Sequence, residues 1–158
     1  MTAIVSIAEA MGQTKADAAD TTMVQLCLDA AIAECNNYCN RNVFYDGTAM
    51  NAAIAAVPAA MVTANAAYAT AVSDADAIAI EADKLVALEV ADANLKRAQV
   101  AAMRDIYGIV CTPNLKAAVL MMTASFYRYR EDTVIGSASA IPMNSKHIMD
   151  RHQKVGPL

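Results

Sequence analysis

Four cysteines are the side chains of this sequence best suited to bind a metal or to carry redox chemistry. Cys27, Cys35 and Cys39 are spaced eight and four residues apart, which places the three thiols on one face of a helix. Structural zinc sites use closely paired ligands from turns and loops, and the sequence has no Cys-x-x-Cys pair. We therefore expect buried thiols between helices in a reducing compartment, with no metal and no cofactor.

The remaining polar residues form no recognised catalytic constellation. His147 and His152 are five residues apart, so they lie on diverging faces of a helix and lack the i, i+4 spacing of a zincin pair. The five glycines are scattered and form no phosphate-binding loop, and no serine stands in a nucleophile elbow. We therefore predict that the chain is not an enzyme.

The segment 126–131, Phe-Tyr-Arg-Tyr-Arg-Glu, is the densest group of side chains able to make specific contacts. Phe126 continues the apolar stripe that precedes it and is predicted to be core. Tyrosine and arginine carry much of the binding energy at protein interfaces, although Arg128 could simply complement the helix dipole. The residues predicted to contact a neighbouring subunit are Tyr127, Arg128, Arg130 and Glu131.

The elements that position these groups belong to one domain with a core of its own, since the chain has 158 residues. A net charge of −4 argues against a protein that wraps nucleic acid, which needs clustered lysine and arginine. Alanine supplies much of the 57% hydrophobic content, so we expect no membrane-spanning helix. The first residues lack the features of a signal peptide, so we expect the protein to stay in the cytoplasm.

Two helix starts stand in the first quarter of the chain. Ser6-Ile7-Ala8-Glu9 is a capping box that predicts a short helix ending near Gly12. A second predicted capping box, Thr22 to Gln25, opens a helix from about Thr22 to Cys39, which an asparagine-rich segment ends. Val43-Phe44-Tyr45 then predicts one short strand.

The middle of the chain, from Ala49 to Ala102, contains 22 of the 36 alanines. Alanine has the highest helix propensity, and Pro58 fits the first turn of a helix. The pattern predicts a helical hairpin, about 58–72 and 74–107, with a single unbroken helix as the alternative. Such a hairpin either contacts neighbouring subunits or packs only on itself, and the sequence favours neither.

The last third begins with Thr112 as helix N-cap and Pro113 at the first helical position. An amphipathic run to Glu131 follows, then a Gly/Ser/Ala segment, 134–141, that we predict to be extended. A short amphipathic helix is predicted from Ser145 to His152. Beyond Arg151 the tail has too few apolar residues to order itself, so we expect it to be disordered.

The order of these signals is helix start, Leu-Lys, apolar run, aromatic-Tyr-x-x-Arg-Glu, Gly, Ile-Pro, short helix and Arg. It resembles the head–tail connector (adaptor) proteins of tailed bacteriophages, over Thr112–Val155 and, more weakly, over Ser6–Val43. The alanine-rich middle departs from the family pattern. The resemblance implies a mainly α fold: a helical connector core with a docking tail, 1–48 and 108–158, and an inserted helical hairpin, 49–107.

The resemblance also implies a function, that of a structural subunit of the virion neck, assembled in the host cytoplasm. Subunits would form a closed ring, expected to be twelvefold, between the portal protein and a tail-side stopper or tail terminator protein. DNA would pass through the channel without specific binding, and no membrane would be involved. The residues implied to dock on the portal are Ile141, Pro142, Met143, Ile148, Met149, Arg151 and Val155.

A protein of another class fits the same sequence. A free-standing helical scaffolding or regulatory protein could dimerise through the alanine-rich helices as a coiled coil. A small dimer in solution would favour this alternative, and a large ring or an assembly that depends on the portal would favour the connector.

Overall fold

The computed structural model describes residues 4–129 and 143–154, which are mainly helical, as predicted. A 3₁₀ turn, Ala18–Asp20, precedes the second helix. The predicted extended segment, 134–141, lies outside the described residues. The elements in chain order are α1 (Ile7–Thr14), α2 (Thr21–Cys39), β1 (Val43–Phe44), α3 (Gly47–Asp76), α4 (Glu81–Ile106), β2 (Ile109–Val110), α5 (Pro113–Arg128) and α6 (Met143–Asp150).

The chain divides into two compact units. The first, here the core unit, consists of the described residues up to Gly47 and from Ile109 to Lys154. The second, here the hairpin unit, is Thr48–Gly108. The boundaries taken from the sequence, 49–107, differ from these by one residue at each end.

The core unit buries large apolar side chains from three helices, α2, α5 and α6. α2 and α5 pack along each other, and α1 and α6 pack against α5. The hydroxyl of Thr123, the buried polar residue of α5, donates to the Val119 carbonyl at 2.8 Å, so it adds no unsatisfied group to this core. The largest fully buried side chains are those of Val24, Leu28, Leu115, Val119, Met122 and Met149.

Helix starts in the core unit follow the sequence at two places and depart from it at one. Both hydrogen bonds of the Ser6–Glu9 capping box are present, and the Thr112 hydroxyl accepts the Leu115 amide. The predicted capping box at Thr22 is wrong. The chain enters α2 directly from the 3₁₀ turn, where the Thr21 hydroxyl donates to the Ala18 carbonyl at 2.7 Å. α2 therefore begins without a hydrogen bond from a capping side chain.

The exit from α2 leads into the short strand. Asn40 adopts the left-handed conformation, φ 53°, that asparagine tolerates better than most residues, and ends the helix. The Asn36 side chain then accepts the Val43 amide at 3.0 Å. β1 pairs in parallel with β2, Val43 opposite Ile109. Parallel strands require a crossover connection, and here the hairpin unit is that connection.

The hairpin unit has two helices, α3 and α4, so the predicted hairpin is confirmed and the alternative, a single unbroken helix, is wrong. α3 is longer than predicted because it begins at Gly47 and continues through Pro58, which lies inside it and not at its start. α4 is shorter than predicted, since it begins at Glu81. An internal proline loses one backbone hydrogen bond, but the alanines around Pro58 favour helix on both sides. The break falls at 77–80, after Ser73, where the Ala77 and Ile78 amides bond back to Asp74 and Ala75.

The two helices of the hairpin unit run antiparallel and face each other through small residues. The Tyr68 hydroxyl donates to the Asp92 carboxylate, which raises the pKa of Tyr68, and Lys84 lies 2.9 Å from Asp76. Buried and half-buried positions alternate at steps of four and three, the spacing of a coiled coil. These seam residues are Met50, Ile54, Val57, Met61, Ala64, Tyr68, Ala71 and Ala75 in α3, and Lys84, Leu88, Ala91, Leu95, Ala98 and Ala102 in α4.

One finding on α3 departs from expectation. Between Gly47 and Ser73 the helix has no charged residue, and a window of it reaches a mean hydropathy of 1.4. By length and composition alone it is apolar enough to cross a membrane, contrary to our expectation that no helix would be. Alanine is responsible for much of this value, and one such helix is weak evidence for a membrane protein.

Candidate subunit interface

The carboxyl end of α5 presents the exposed arginine that the sequence selected as an interface residue. The Arg128 guanidinium lies 5.8 Å from the centre of the Tyr129 ring. Beside it is a cleft of about 390 Å³, whose lining includes Met121 and Asn144. A second cleft of about 410 Å³ continues past Arg128 to Lys15. The two clefts, here the α5 cleft, combine an apolar floor with two exposed cations.

Lys15 is a member of this site that sequence reasoning missed. It has a left-handed backbone, φ 53°, at the end of α1, which directs the chain away from the helix. Lys15 and Arg128 are more than a hundred residues apart in the sequence. Only the packing of α1 on α5 brings the two cations to one cleft, so no local signal could have shown the pair.

The neighbours of Arg128 have different surroundings from those predicted. Phe126 is half-buried against the core and not fully enclosed in it. The Tyr127 hydroxyl donates to the Asp20 carboxylate, so Tyr127 fastens the end of α5 to the 3₁₀ turn of its own subunit. Arg130 and Glu131 lie outside the described residues. Arg128 is therefore the predicted interface residue that the described surface leaves accessible.

The residues predicted to dock on the portal divide in the same way. Met149 is fully buried in the core, Ile148 is half-buried beside it, and Arg151 is exposed. The prediction that Met149 docks on the portal is wrong, because α6 packs its apolar face, including Met149, into the core of its own subunit. Met143 is the first residue of α6, and Ile141, Pro142 and Val155 lie outside the described residues.

Polar contacts hold α6 on α2. The Tyr38 hydroxyl donates to the Asp150 carboxylate, and Lys146 lies 3.4 Å from the same group; both lower the pKa of Asp150. The Lys146 ammonium lies 5.4 Å from the centre of the Tyr38 ring. Beyond the helix, the Lys154 amide donates to the Cys39 carbonyl at 3.0 Å. Lys154 is thus held on the end of α2, contrary to our expectation that the tail is disordered beyond Arg151. Residues 155–158 lie outside the described residues.

An ion pair joins α1 to α5 on the surface of the core unit. The Lys116 ammonium lies 2.6 Å from the Glu9 carboxylate, which also accepts the amide and hydroxyl of Ser6. Lys116 and then Ser6 lower the pKa of Glu9 to about 2. The same carboxylate therefore caps α1 and links it to α5.

The three thiols predicted to share a helix face are all buried in α2. Cys35 donates to Cys39, which raises the pKa of Cys35; that contact and the charge of Arg41 lower the pKa of Cys39. Within residues 4–129 and 143–154, no three histidine, cysteine or acidic side chains are placed to hold a metal ion. His147 is exposed, and His152 is half-buried.

Comparison with known proteins adds nothing to this description. No family model, curated protein or solved structure matches the chain. The residues and their geometry are therefore the basis for assigning a function.

Proposed function

We propose that this chain is a ring-forming structural subunit in the neck of a tailed-phage virion. The ring would lie between the portal protein and a tail-side stopper or terminator protein and surround the DNA channel. One observation carries the proposal: the described parts of the two segments that resemble connectors, Ser6–Val43 and Thr112–Val155, fold together as the core unit. The segment that does not resemble them forms a unit of its own.

A closed ring requires two different surfaces on each subunit, since its contacts are heterologous. The α5 cleft supplies one of them, with Lys15 and Arg128 at its edge and Met121 in its floor. Cations beside an apolar floor suit an acidic segment of the next subunit, and opposite charges across an interface speed association and select the partner. A net charge of −4 also suits a channel through which DNA slides without adhering.

The test is assembly with a portal protein. Purified protein, alone and mixed with the portal of its own phage, is examined by electron microscopy and analytical ultracentrifugation. We expect a ring of this chain on the portal. A protein that ignores the portal and stays a small oligomer would contradict the neck assignment.

The role of the α5 cleft is tested separately with a charge reversal. Arg128→Glu should keep the helical circular dichroism and thermal melt of the wild type while losing ring formation. Lys96→Glu is the matched control, since it makes the same change in charge on the hairpin unit and should still form rings. Equal ring formation by both variants would remove the α5 cleft from the interface.

One observation favours the second function, a scaffolding or regulatory protein that dimerises through its alanine-rich helices. α4 exposes several aliphatic side chains: Leu85 is 57%, Val86 60% and Val90 55% exposed. Large exposed apolar patches mark interaction sites in soluble proteins. A dimer that forms without the portal and does not bind it would favour this function over the neck.

A further inference from the structure

Two opposite faces of α4 are apolar, and the hairpin covers one of them. Leu88, Ala91 and Leu95 belong to the seam with α3. Isolated exposed aliphatic residues are ordinary on protein surfaces, but Val86, Val90 and Val100 of α4 follow one helical stripe. We define the outer face of α4 as Ala82, Val86, Glu89, Val90, Ala93, Arg97 and Val100. Val86 and Val90 are more than half exposed, and Val100 is 39% exposed.

The outer face of α4 carries one charge of each sign. Glu89 precedes Arg97 on this face, whereas the helix as a whole mixes both signs, with Lys84 in its first turn and Asp105 in its last. The helix dipole accounts for the acids of the first turn, Glu81 and Asp83. Glu89 and Arg97 lie well inside the helix, where the dipole has little effect, and both are exposed on the outer face.

The outer face is complementary to itself when a second copy runs antiparallel. With the two-fold axis at Ala93, Glu89 lies opposite Arg97 of the second copy, and Val86 lies opposite Val100. Each pairing occurs twice, as an isologous contact requires. The helix has 26 residues, about 39 Å, so the paired faces extend over several turns.

We propose that the outer face of α4 binds the same face of a second copy of this chain, in an antiparallel pair centred on Ala93. The complementary charges favour a second copy over a membrane, because helices that bind membrane surfaces carry mainly basic polar faces. The contact concerns the free protein: a dimer that goes on to bind the portal is compatible with a neck subunit, and a dimer that does not bind it favours the second function. The seam with α3 has no part in it, so dimerisation leaves the hairpin unit intact.

Charge exchange tests the register of this pair. Dimer dissociation is measured by sedimentation equilibrium for Glu89→Arg, Arg97→Glu and the double variant. Each single change creates two like-charge contacts, so we expect it to raise the dissociation constant at least about tenfold. The double variant restores opposite charges and should return within about threefold of the wild type, which also shows that the single variants fold. A double variant as weak as either single one would overturn the proposal.

Two further measurements test the apolar contacts and the axis. Val90→Ser should weaken the dimer, whereas Val62→Ser, at a more exposed valine of α3, should not. Serine and valine have similar helix propensity, so neither change alters the helix itself. In a Cys111→Ser background, Ala93→Cys should form an intermolecular disulfide in oxidant faster than Ala69→Cys. Equal rates at the two positions would contradict the proposed axis. A wild-type protein that stays monomeric would contradict the dimer itself, and binding of that monomer to anionic vesicles would assign the outer face to a membrane surface instead.

Discussion

The core unit and the hairpin unit are both helical, but different residues hold them together. In the core unit, helices from both ends of the sequence converge on large side chains such as Leu28, Leu115 and Met122, which are at most 1% exposed. In the hairpin unit, the described residues that reach full burial are Ala75 and Ala91. Burial of large apolar surface stabilises the first unit. Helix propensity and a seam of small residues stabilise the second, so the two units of one chain are stabilised in different ways.

Removal of the hairpin unit is the largest change that tests this contrast. Replacing Thr48–Tyr107 by a flexible linker of about eight Gly and Ser residues should leave a folded core, since closure entropy changes slowly with loop length. The linker has to cross between two parallel strands, which eight residues can span. Circular dichroism should show fewer helical residues and a cooperative thermal melt. A variant without a cooperative transition would mean that the core depends on the hairpin unit.

The same substitution, leucine to alanine, compares the stability of the two units. Leu115→Ala in the core should cost about 2–5 kcal/mol, because it removes a fully buried side chain and leaves a cavity. Leu88→Ala, at a half-buried seam position, should cost roughly 1–2 kcal/mol, since less apolar area is lost. Urea unfolding followed by circular dichroism measures both. Equal costs at the two positions would contradict the different origin of stability.

Local signals allowed much of the core unit to be predicted from sequence. Ser6, Thr112 and Asn40 act on the backbone within a few residues, so the helix ends that depend on them were predictable. The burial of Met149 was not predictable, because the sequence pattern of an amphipathic helix is the same whether its apolar face contacts its own core or a partner. The α5 cleft was not predictable either, since Lys15 and Arg128 meet only through packing.

The hairpin unit could be predicted as helical, but the predicted ends of its two helices are wrong. Alanine favours helix at nearly every position, so the sequence lacks the contrast from which ends are located. Pro58 and the polar residues after position 72 predict helix ends, yet α3 continues through both places.

Enlarging a seam alanine tests how tightly the hairpin helices pack on each other. Ala91→Leu adds three carbons at a position that is 4% exposed and lines a cleft of about 220 Å³ between the helices, so part of the side chain can enter the cleft and we expect a loss of at most about 1–3 kcal/mol from overpacking. Ala69→Leu makes the same change at an exposed position of α3 and should alter stability by less than about 0.5 kcal/mol. Both are measured by urea unfolding. A stabilised Ala91→Leu variant would mean that the seam has room to spare.

The smallest expected effect concerns a surface ion pair of the core unit, between Lys116 and Glu9. Lys116 and Ser6 hold the pKa of Glu9 at about 2 in the folded protein, below its ordinary value of 4.5. A lowered folded pKa means that the ionised carboxylate stabilises the fold: its contribution is complete above pH 4.5 and is lost as the pH falls toward 2.

Glutamine can still complete the capping box, so Glu9→Gln removes the charge and little else. The difference in urea midpoint between wild type and Glu9→Gln should therefore be largest near pH 5 and shrink on acidification. The same difference should be smaller throughout in a Lys116→Met background, because Lys116 is the main cause of the shift. A difference that stays constant from pH 5 to pH 2 would show that the ion pair does not stabilise the contact between α1 and α5.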